Sequence, residues 1–424
     1  MDEWQRFKGY AARVVELFVG GSDSTAVSSE TFSFFGMQST LDPLWPRLNS
    51  LRLAHGLGWD AVPSILAFLS PKITALTLTL PRFHNVLSQP ILSIASDRCH
   101  RLQELVFDVD TTFGPHLTNA AEGLIIACRD TLRTLEVRST FKAEYLPIIA
   151  NLPQLRSLKL EKAQIPHDFP SGGFPSLEEF IVLHFYGGPL QDFFERLHTT
   201  DLKVVKVHGI NVVPSKESIA ALSRFSTSLE VLEISGAAKL NLPSVLIPHL
   251  HFVNLKTLYV GCLRWDDGTH HGPCVFWTTD QAIAKLGVAM PNIAYLTLGS
   301  PTCPRVKCVT FLSLVTLSKA CQNLETLTIR VDVGSMVAAS VLGSESSETA
   351  TTPDETHGSA CKLRKLVVGL STLPNHPDSG WLVATGLGKV FPSLSEVVDS
   401  DQDGWGKVGR KIRMIRQVLH TVQQ

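Results

Sequence analysis

The sequence predicts an α/β solenoid, in which short strands and helices alternate and each repeat stacks on the next. Three observations predict it. One six-residue phrase, apolar-x-x-apolar-x-apolar, recurs along the whole 424-residue chain. Proline stands two places ahead of the phrase in several copies, and segments with a helical rhythm lie between copies.

The phrase is clearest in Leu48–Leu53 (LNSLRL), Leu155–Leu160 (LRSLKL), Leu229–Ile234 (LEVLEI) and Leu324–Ile329 (LETLTI). Further copies are Leu132–Val137, Leu255–Val260, Ile293–Leu298 and Leu363–Val368, with degenerate ones beginning at Val14, Ile73, Leu102, Leu177, Leu202 and Leu394. The fourteen starts are separated by 22 (Leu155 to Leu177) to 39 (Leu324 to Leu363) residues. Strand side chains alternate between faces, so the fourth and sixth positions point inward and the third and fifth outward.

Pro46, Pro153, Pro175, Pro291 and Pro392 precede five copies. Lacking an N–H and forcing its predecessor into extended backbone, proline ends a helix and leads into a strand. The helical segments include Asn119–Thr131, Leu190–His198 and Ser215–Phe225. Three buried aliphatic side chains contribute roughly 5–9 kcal/mol per unit, while ordering about 25–30 residues costs several times that. A lone unit is therefore unstable, and neighbours must share a continuous core.

These features resemble leucine-rich repeats over nearly the whole chain, and the resemblance implies a curved horseshoe. The Asn or Cys usual three places after the phrase is missing: Gly56, Pro81, Asp110, Thr140, Ala163, Phe185 and Ala237 stand there. Irregular turns and uneven curvature are expected. Repeats of this kind are similar to those of fungal F-box proteins. The opening Trp4, Arg6, Phe7, Tyr10, Ala11 and Val14 resembles the stretch between F-box and first repeat in mushroom-type members, and Cys99, Cys128, Cys321 and Cys361 ahead of strands resemble the family's phrase. The resemblance implies a recognition module for a protein substrate on the concave face. It implies a Skp1–cullin ubiquitin-ligase complex only where an F-box precedes Met1, since the ~40 helical residues of that module do not precede the repeats here. A stand-alone repeat regulator, for example of a GTPase, is the alternative.

Residues 1–40 are read as an entry segment with the first degenerate repeat. Residues 41–405 hold the repeats, with long insertions near 261–280 and 334–360, and residues 406–424 form a capping helix. Insertion 334–360 is Ser/Thr/Glu-rich and reads as a variable loop, with Ser344, Ser346 and Thr352 as candidates for phosphorylation. In the last segment Ile412, Ile415, Val418 and Leu419 share one helical face and Lys407, Arg410, Lys411, Arg413 and Arg416 enrich the rest, suiting a cap on the open core better than a membrane anchor.

Charge and composition narrow the function. Lys and Arg number 38 against 39 Asp and Glu, a balance that supplies no general attraction for nucleic acid. No apolar run is long enough to span a bilayer and no signal peptide opens the chain, so a cytoplasmic or nuclear protein is expected, with no membrane partner. No nucleophile-elbow, zinc-protease or dinucleotide motif occurs, and no enzyme activity, metal or cofactor is expected. Gly386–Val390 (GLGKV) lacks phosphate-loop spacing and reads as helix. Cys262, His270, His271 and Cys274 are too loosely spaced for a zinc site, and Cys303 and Cys308 too isolated for redox chemistry. The candidate partner-binding residues are Tyr259 and Tyr295, outward on neighbouring strands, with Trp265 and Trp277 from the insertion between them. The tryptophans either extend that hot spot or cover a small core of the insertion itself.

Overall fold

A computed structural model describes residues 3–19, 45–53, 68–80, 85–109, 115–141, 143–165, 171–186, 190–209, 216–236, 240–241, 251–262, 276–299, 308–334, 361–369, 371, 373, 378–399 and 405–423. The chain forms two compact units, Met1–Leu202 and Lys203–Gln424.

In the first unit, helix α1 (Glu3–Ala11) leads into β1 (Glu16–Val19), followed by β2 (Ser50–Leu53), β3 (Ala75–Leu80), α2 (Asn85–Arg98), β4 (Glu104–Val109) and α3 (Pro115–Ala127). Then come β5 (Thr134–Phe141), α4 (Leu146–Ala150), β6 (Ser157–Ala163), β7 (Glu179–Phe185) and α5 (Leu190–Arg196). Each of β1–β7 pairs in parallel with its sequence neighbour, as in Ser50↔Ala75 and Glu104↔Thr134.

The second unit contains β8 (Val204–Gly209), α6 (Lys216–Leu222), β9 (Val231–Gly236), β10 (Leu240–Asn241), β11 (Thr257–Cys262), β12 (Phe276–Trp277), α7 (Asp280–Ala289), β13 (Tyr295–Leu298) and β14 (Val309–Thr310). It continues with α8 (Phe311–Ala320), β15 (Thr326–Thr328), β16 (Val331–Asp332), β17 (Lys365–Gly369), α9 (Ser379–Val390), β18 (Glu396–Asp399) and α10 (Trp405–Gln423). Strands β8, β9, β11, β13, β15, β17 and β18 pair in parallel in that order, and β10·β12 and β14·β16 form separate two-stranded ladders.

All fourteen phrases become strands, and each strand starts at the third residue of its phrase. The alternation is that of a half-buried strand: in β6 Leu158 and Leu160 are buried while Ser157 and Lys159 face outward. The leading leucines, such as Leu102, Leu155 and Leu255, are fully buried. Within each unit the arrangement is that of an α/β leucine-rich-repeat solenoid. GLGKV lies inside α9, so its lysine is part of a helix rather than a phosphate loop.

The phrase strands are uneven in length, from 3 residues in β15 to 8 in β5, with register shifts after Val137 and after Val367. Of the positions where an Asn or Cys ladder is absent, Ala163 and Phe185 bury apolar side chains instead. Gly56, Pro81, Asp110 and Ala237 lie outside the described residues. The repeats are tied together on the other side of the strand, in the turn ahead of it. The Cys99 thiol donates to the Ser70 carbonyl at 3.6 Å, Cys128 to Cys99 at 3.2 Å, and Cys361 to Cys321 at 3.4 Å. Elsewhere Thr131 Oγ1 donates to the Leu102 carbonyl (2.7 Å), Ser176 Oγ to Pro153 (2.7 Å), Asn254 Nδ2 to Thr227 (2.7 Å) and Asn292 Nδ2 to Val253 (2.9 Å). Each such bond joins a side chain to a turn carbonyl of the preceding repeat, and the Ser70, Cys99 and Cys321 carbonyls also accept the backbone N–H of Ile73, Leu102 and Leu324.

At the start of the chain an aromatic series seats α1. Trp4 stacks on Phe7 at 5.3 Å, Phe7 meets Trp45 edge-on at 5.9 Å, and Trp45 packs on Phe68 at 5.5 Å. At the other end α10 buries Trp405, Val408 and Ile412, and the Trp405 indole N–H donates to the Ser371 carbonyl at 2.8 Å.

Candidate functional site

With the fourth and sixth positions committed to the core, the strands have only their third and fifth positions, and the residue two places further on, with which to meet another molecule. In the second unit strand register sets these in rows. One row reads Lys206, Glu233, Tyr259, Thr297, Thr328, Val367, Val398; its neighbour reads Val204, Val231, Thr257, Tyr295, Thr326, Lys365, Glu396.

Tyr259 and Tyr295 are on adjacent strands but in different rows. Thr297 lies across from Tyr259, and Thr257 across from Tyr295. Their rings part further through their surroundings. The Tyr259 ring meets His208 edge-on, with centroids 6.3 Å apart, and lies over Gly261. Burial, and secondarily the Glu233 charge, push its phenol above the ordinary value, so it stays protonated. Tyr295 is 47% exposed, and its hydroxyl donates to Glu325 Oε2 at 3.2 Å. Trp265 lies outside the described residues. Trp277 belongs to β12, paired across from Asn241 of β10 in a ladder separate from the main strands.

Beside Tyr259 the rows bring together residues far apart in sequence. Lys206 Nζ stands 2.8 Å from Glu233 Oε1, and His208 Nε2 stands 3.6 Å from Glu233 Oε2. The other ring nitrogen of His208 lies 2.6 Å from Ser235 Oγ, with the donor set by the ring's tautomer. His208, more than offsetting the opposing effect of burial, holds the Glu233 carboxyl below its ordinary value, with Lys206 adding to it. His208 and Ser235 occupy the place two beyond the fifth position. The six-residue phrase stops short of it, so a reading of third and fifth columns alone passes over them; following the same alternation one step further would have found them.

Beyond Tyr259 the character changes. Thr257, Thr297, Thr326 and Thr328 present hydroxyls with no charge among them, until Lys365 and Glu396 pair at 3.1 Å. This uncharged strip, with Tyr259 and Tyr295 upon it, contrasts with the first unit. There Arg138 Nε stands 2.5 Å from Glu136 and its guanidinium 3.8 Å from Asp108, Lys159 stands 3.3 Å from Glu179, and Arg52 lies over the Phe18 ring at 5.4 Å. Those charges already have partners, and another molecule would have to desolvate them.

Among the described residues no group of three or more His, Cys, Asp or Glu side chains could hold a metal ion. His270, His271, Cys274 and Cys303 lie outside them, as does most of 334–360. Also among the described residues, no helix is long and apolar enough to cross a membrane.

No family model matches the chain, and no curated protein sequence matches it. Solved structures that resemble it include an internalin (inlF) from Listeria monocytogenes, with a TM-score of 0.42 and 16% identity over 78% of this chain and 86% of that one. Another is the plant peptide hormone receptor RGFR1 in complex with RGF2, with a TM-score of 0.30 and 13% identity over 68% of this chain and 53% of that one. The fold assignment therefore rests on the chain's own strand register.

Proposed function

We propose that this protein recognises another protein through the open strand face of its second unit. The observation that carries the reading is the uncharged strip of Thr257, Thr297, Thr326 and Thr328 bearing Tyr259 and Tyr295. Aromatic side chains anchor protein interfaces, and hydroxyls cost less to desolvate than ions. The ion pairs Lys206–Glu233 and Lys365–Glu396 border the strip, as a polar rim borders an interface core. Catalysis is no part of this role, and neither a cofactor, a membrane nor a nucleic acid is needed for it.

Within that role we infer a substrate-recognition module of an F-box-like ubiquitin-ligase adaptor, acting in the cytoplasm or nucleus. Trp4, Phe7 and Ala11, which carry the resemblance, sit on α1, and α1 enters β1 directly; this placement supports the reading. The test is affinity purification of the protein as its own genome encodes it, tagged at the C-terminus. Skp1 and cullin in the eluate support the ligase role; a GTPase without them overturns it in favour of a stand-alone regulator. For the strand face, Tyr259→Ala/Tyr295→Ala is expected to weaken the captured protein's binding by at least about tenfold. Unchanged affinity would remove the strip from the reading.

A further inference from the structure

Helix α10 carries five cations, Lys407, Arg410, Lys411, Arg413 and Arg416, and no carboxylate. Part of its apolar side is already used: Trp405, Val408 and Ile412 are buried, and Gly409 lies against Val397 of β18. Two of the cations are engaged locally. The Arg416 guanidinium donates to the Pro392 carbonyl, and Lys411 Nζ lies 5.1 Å from the centre of the Trp381 ring. Lys407, Arg410 and Arg413 are exposed, and among the described residues none has a carboxylate within ion-pair distance.

That differs from the strand faces, where Arg138, Lys159, Lys206 and Lys365 each stand beside a carboxylate. Nor does the helix's own stability account for the cations. The macrodipole favours positive side chains in the last turn, whereas Lys407 stands in the first, where the field opposes it. Two large apolar side chains lie beside these charges. Met414 is 51% exposed, one turn on from Arg410 and Lys411, and Trp381, beneath Lys411, is 40% exposed. Arg, Met and Trp are residue types that interfaces concentrate.

We propose that the outer face of α10 docks an acidic segment of a partner protein, with carboxylates on Lys407, Arg410 and Arg413 and an aliphatic or aromatic side chain against Met414 and Trp381. Charge complementarity selects this occupant. A membrane-binding helix needs its apolar side free to enter the lipid, and here Trp405, Val408 and Ile412 of that side are already in the core. The surface is separate from the strand face, so either proposal can fail without the other.

The test uses the full chain and a fluorescein-labelled peptide of Glu and Asp with a central Leu-Trp pair, read by anisotropy at low ionic strength. Saturable binding is expected. It should weaken by at least about tenfold in Lys407→Gln/Arg410→Gln/Arg413→Gln and by a smaller factor in Met414→Ser, and stay unchanged in Tyr259→Ala. Glutamine keeps good helix propensity, and circular dichroism confirms that the triple variant is folded. An affinity unaltered by the triple variant overturns the proposal, as does equal binding of a peptide with Gln and Asn in place of Glu and Asp. Tighter binding to phosphatidylserine vesicles or single-stranded DNA than to the peptide also overturns it.

Discussion

Tyr259 folds back over Gly261, its neighbour two places along the same strand, so closely that a methyl group on Gly261 would come within 2.8 Å of the phenol oxygen. The bare backbone at Gly261 gives the ring room to lie along the strand and reach His208. Gly261→Ala should therefore swing the ring away at little structural cost, because what must move is the end of one side chain. A stability change below about 1 kcal/mol is expected. If the strip binds a partner, affinity should fall as it does in Tyr259→Ala. Thermal unfolding and titration of the same variant separate the two effects.

Core and face positions of one strand series should respond very differently to truncation. Leu158 is fully buried at a fourth position, whereas Leu183 of β7 is 47% exposed. Leu158→Ala is expected to cost about 2–5 kcal/mol, and Leu183→Ala about 0.5 kcal/mol or less. Denaturant unfolding of both variants under one set of conditions measures the difference.

Acid should loosen the cluster around Glu233. Its carboxyl titrates below the ordinary value of 4.5 because His208, and then Lys206, favour the ionised form against the opposing effect of burial. A lowered folded-state pKa means that the contribution is complete above the unfolded value and is lost as pH falls through the folded one. The stability gap between wild type and Glu233→Gln should thus hold steady above about pH 5 and narrow below it. Unfolding midpoints measured across that range check the sign. A gap that widens in acid would refute the assignment.

The turn cysteines should be chemically silent. Burial, their largest influence, pushes Cys99 and Cys321 up to about 12 and Cys128 up to about 11, and it raises Cys361 as well. Thiolate is the reactive form, so iodoacetamide at neutral pH should leave all four unmodified in the folded protein. Cys308, which is exposed, should label first among the described cysteines. Peptide mass spectrometry before and after unfolding checks this.

Removing residues 405–424 would withdraw Trp405, Val408 and Ile412 from the core and leave the Ser371 carbonyl without its indole donor. Lower solubility and a lower unfolding midpoint are expected, in keeping with a helix that closes the end of a repeat array. Light scattering and calorimetry of the shortened chain provide the measurement.

The strands were legible in the sequence because burial at period two leaves a local signature. Leu155, Leu158 and Leu160 announce their own strand without reference to any other. The prolines mark where helix gives way to strand for the same local reason. The direction of the Tyr259 ring was not legible, since it depends on His208 two strands away and on Gly261 lacking a side chain. Nor was the meeting of His208, Ser235 and Glu233, which needs the strand to run past its phrase and the register between strands to be known. In the sequence the cysteines ahead of strands carry only a family likeness. Their physical role, thiol to the preceding repeat's carbonyl, emerges only once the turns are stacked.

Among the described residues, every strand built on the repeated phrase pairs only with the strands of the phrases before and after it, which makes chain length an adjustable quantity within each unit. Excising one complete strand-and-connector period would bring the flanking leucines into the same alignment they already hold with their present neighbours, much as a link can be taken from a watch strap. A deletion of two or three residues inside a strand has no such remedy, because it exchanges wet and dry sides or breaks the row. Variation in size between related molecules should therefore come in whole links or in the connectors.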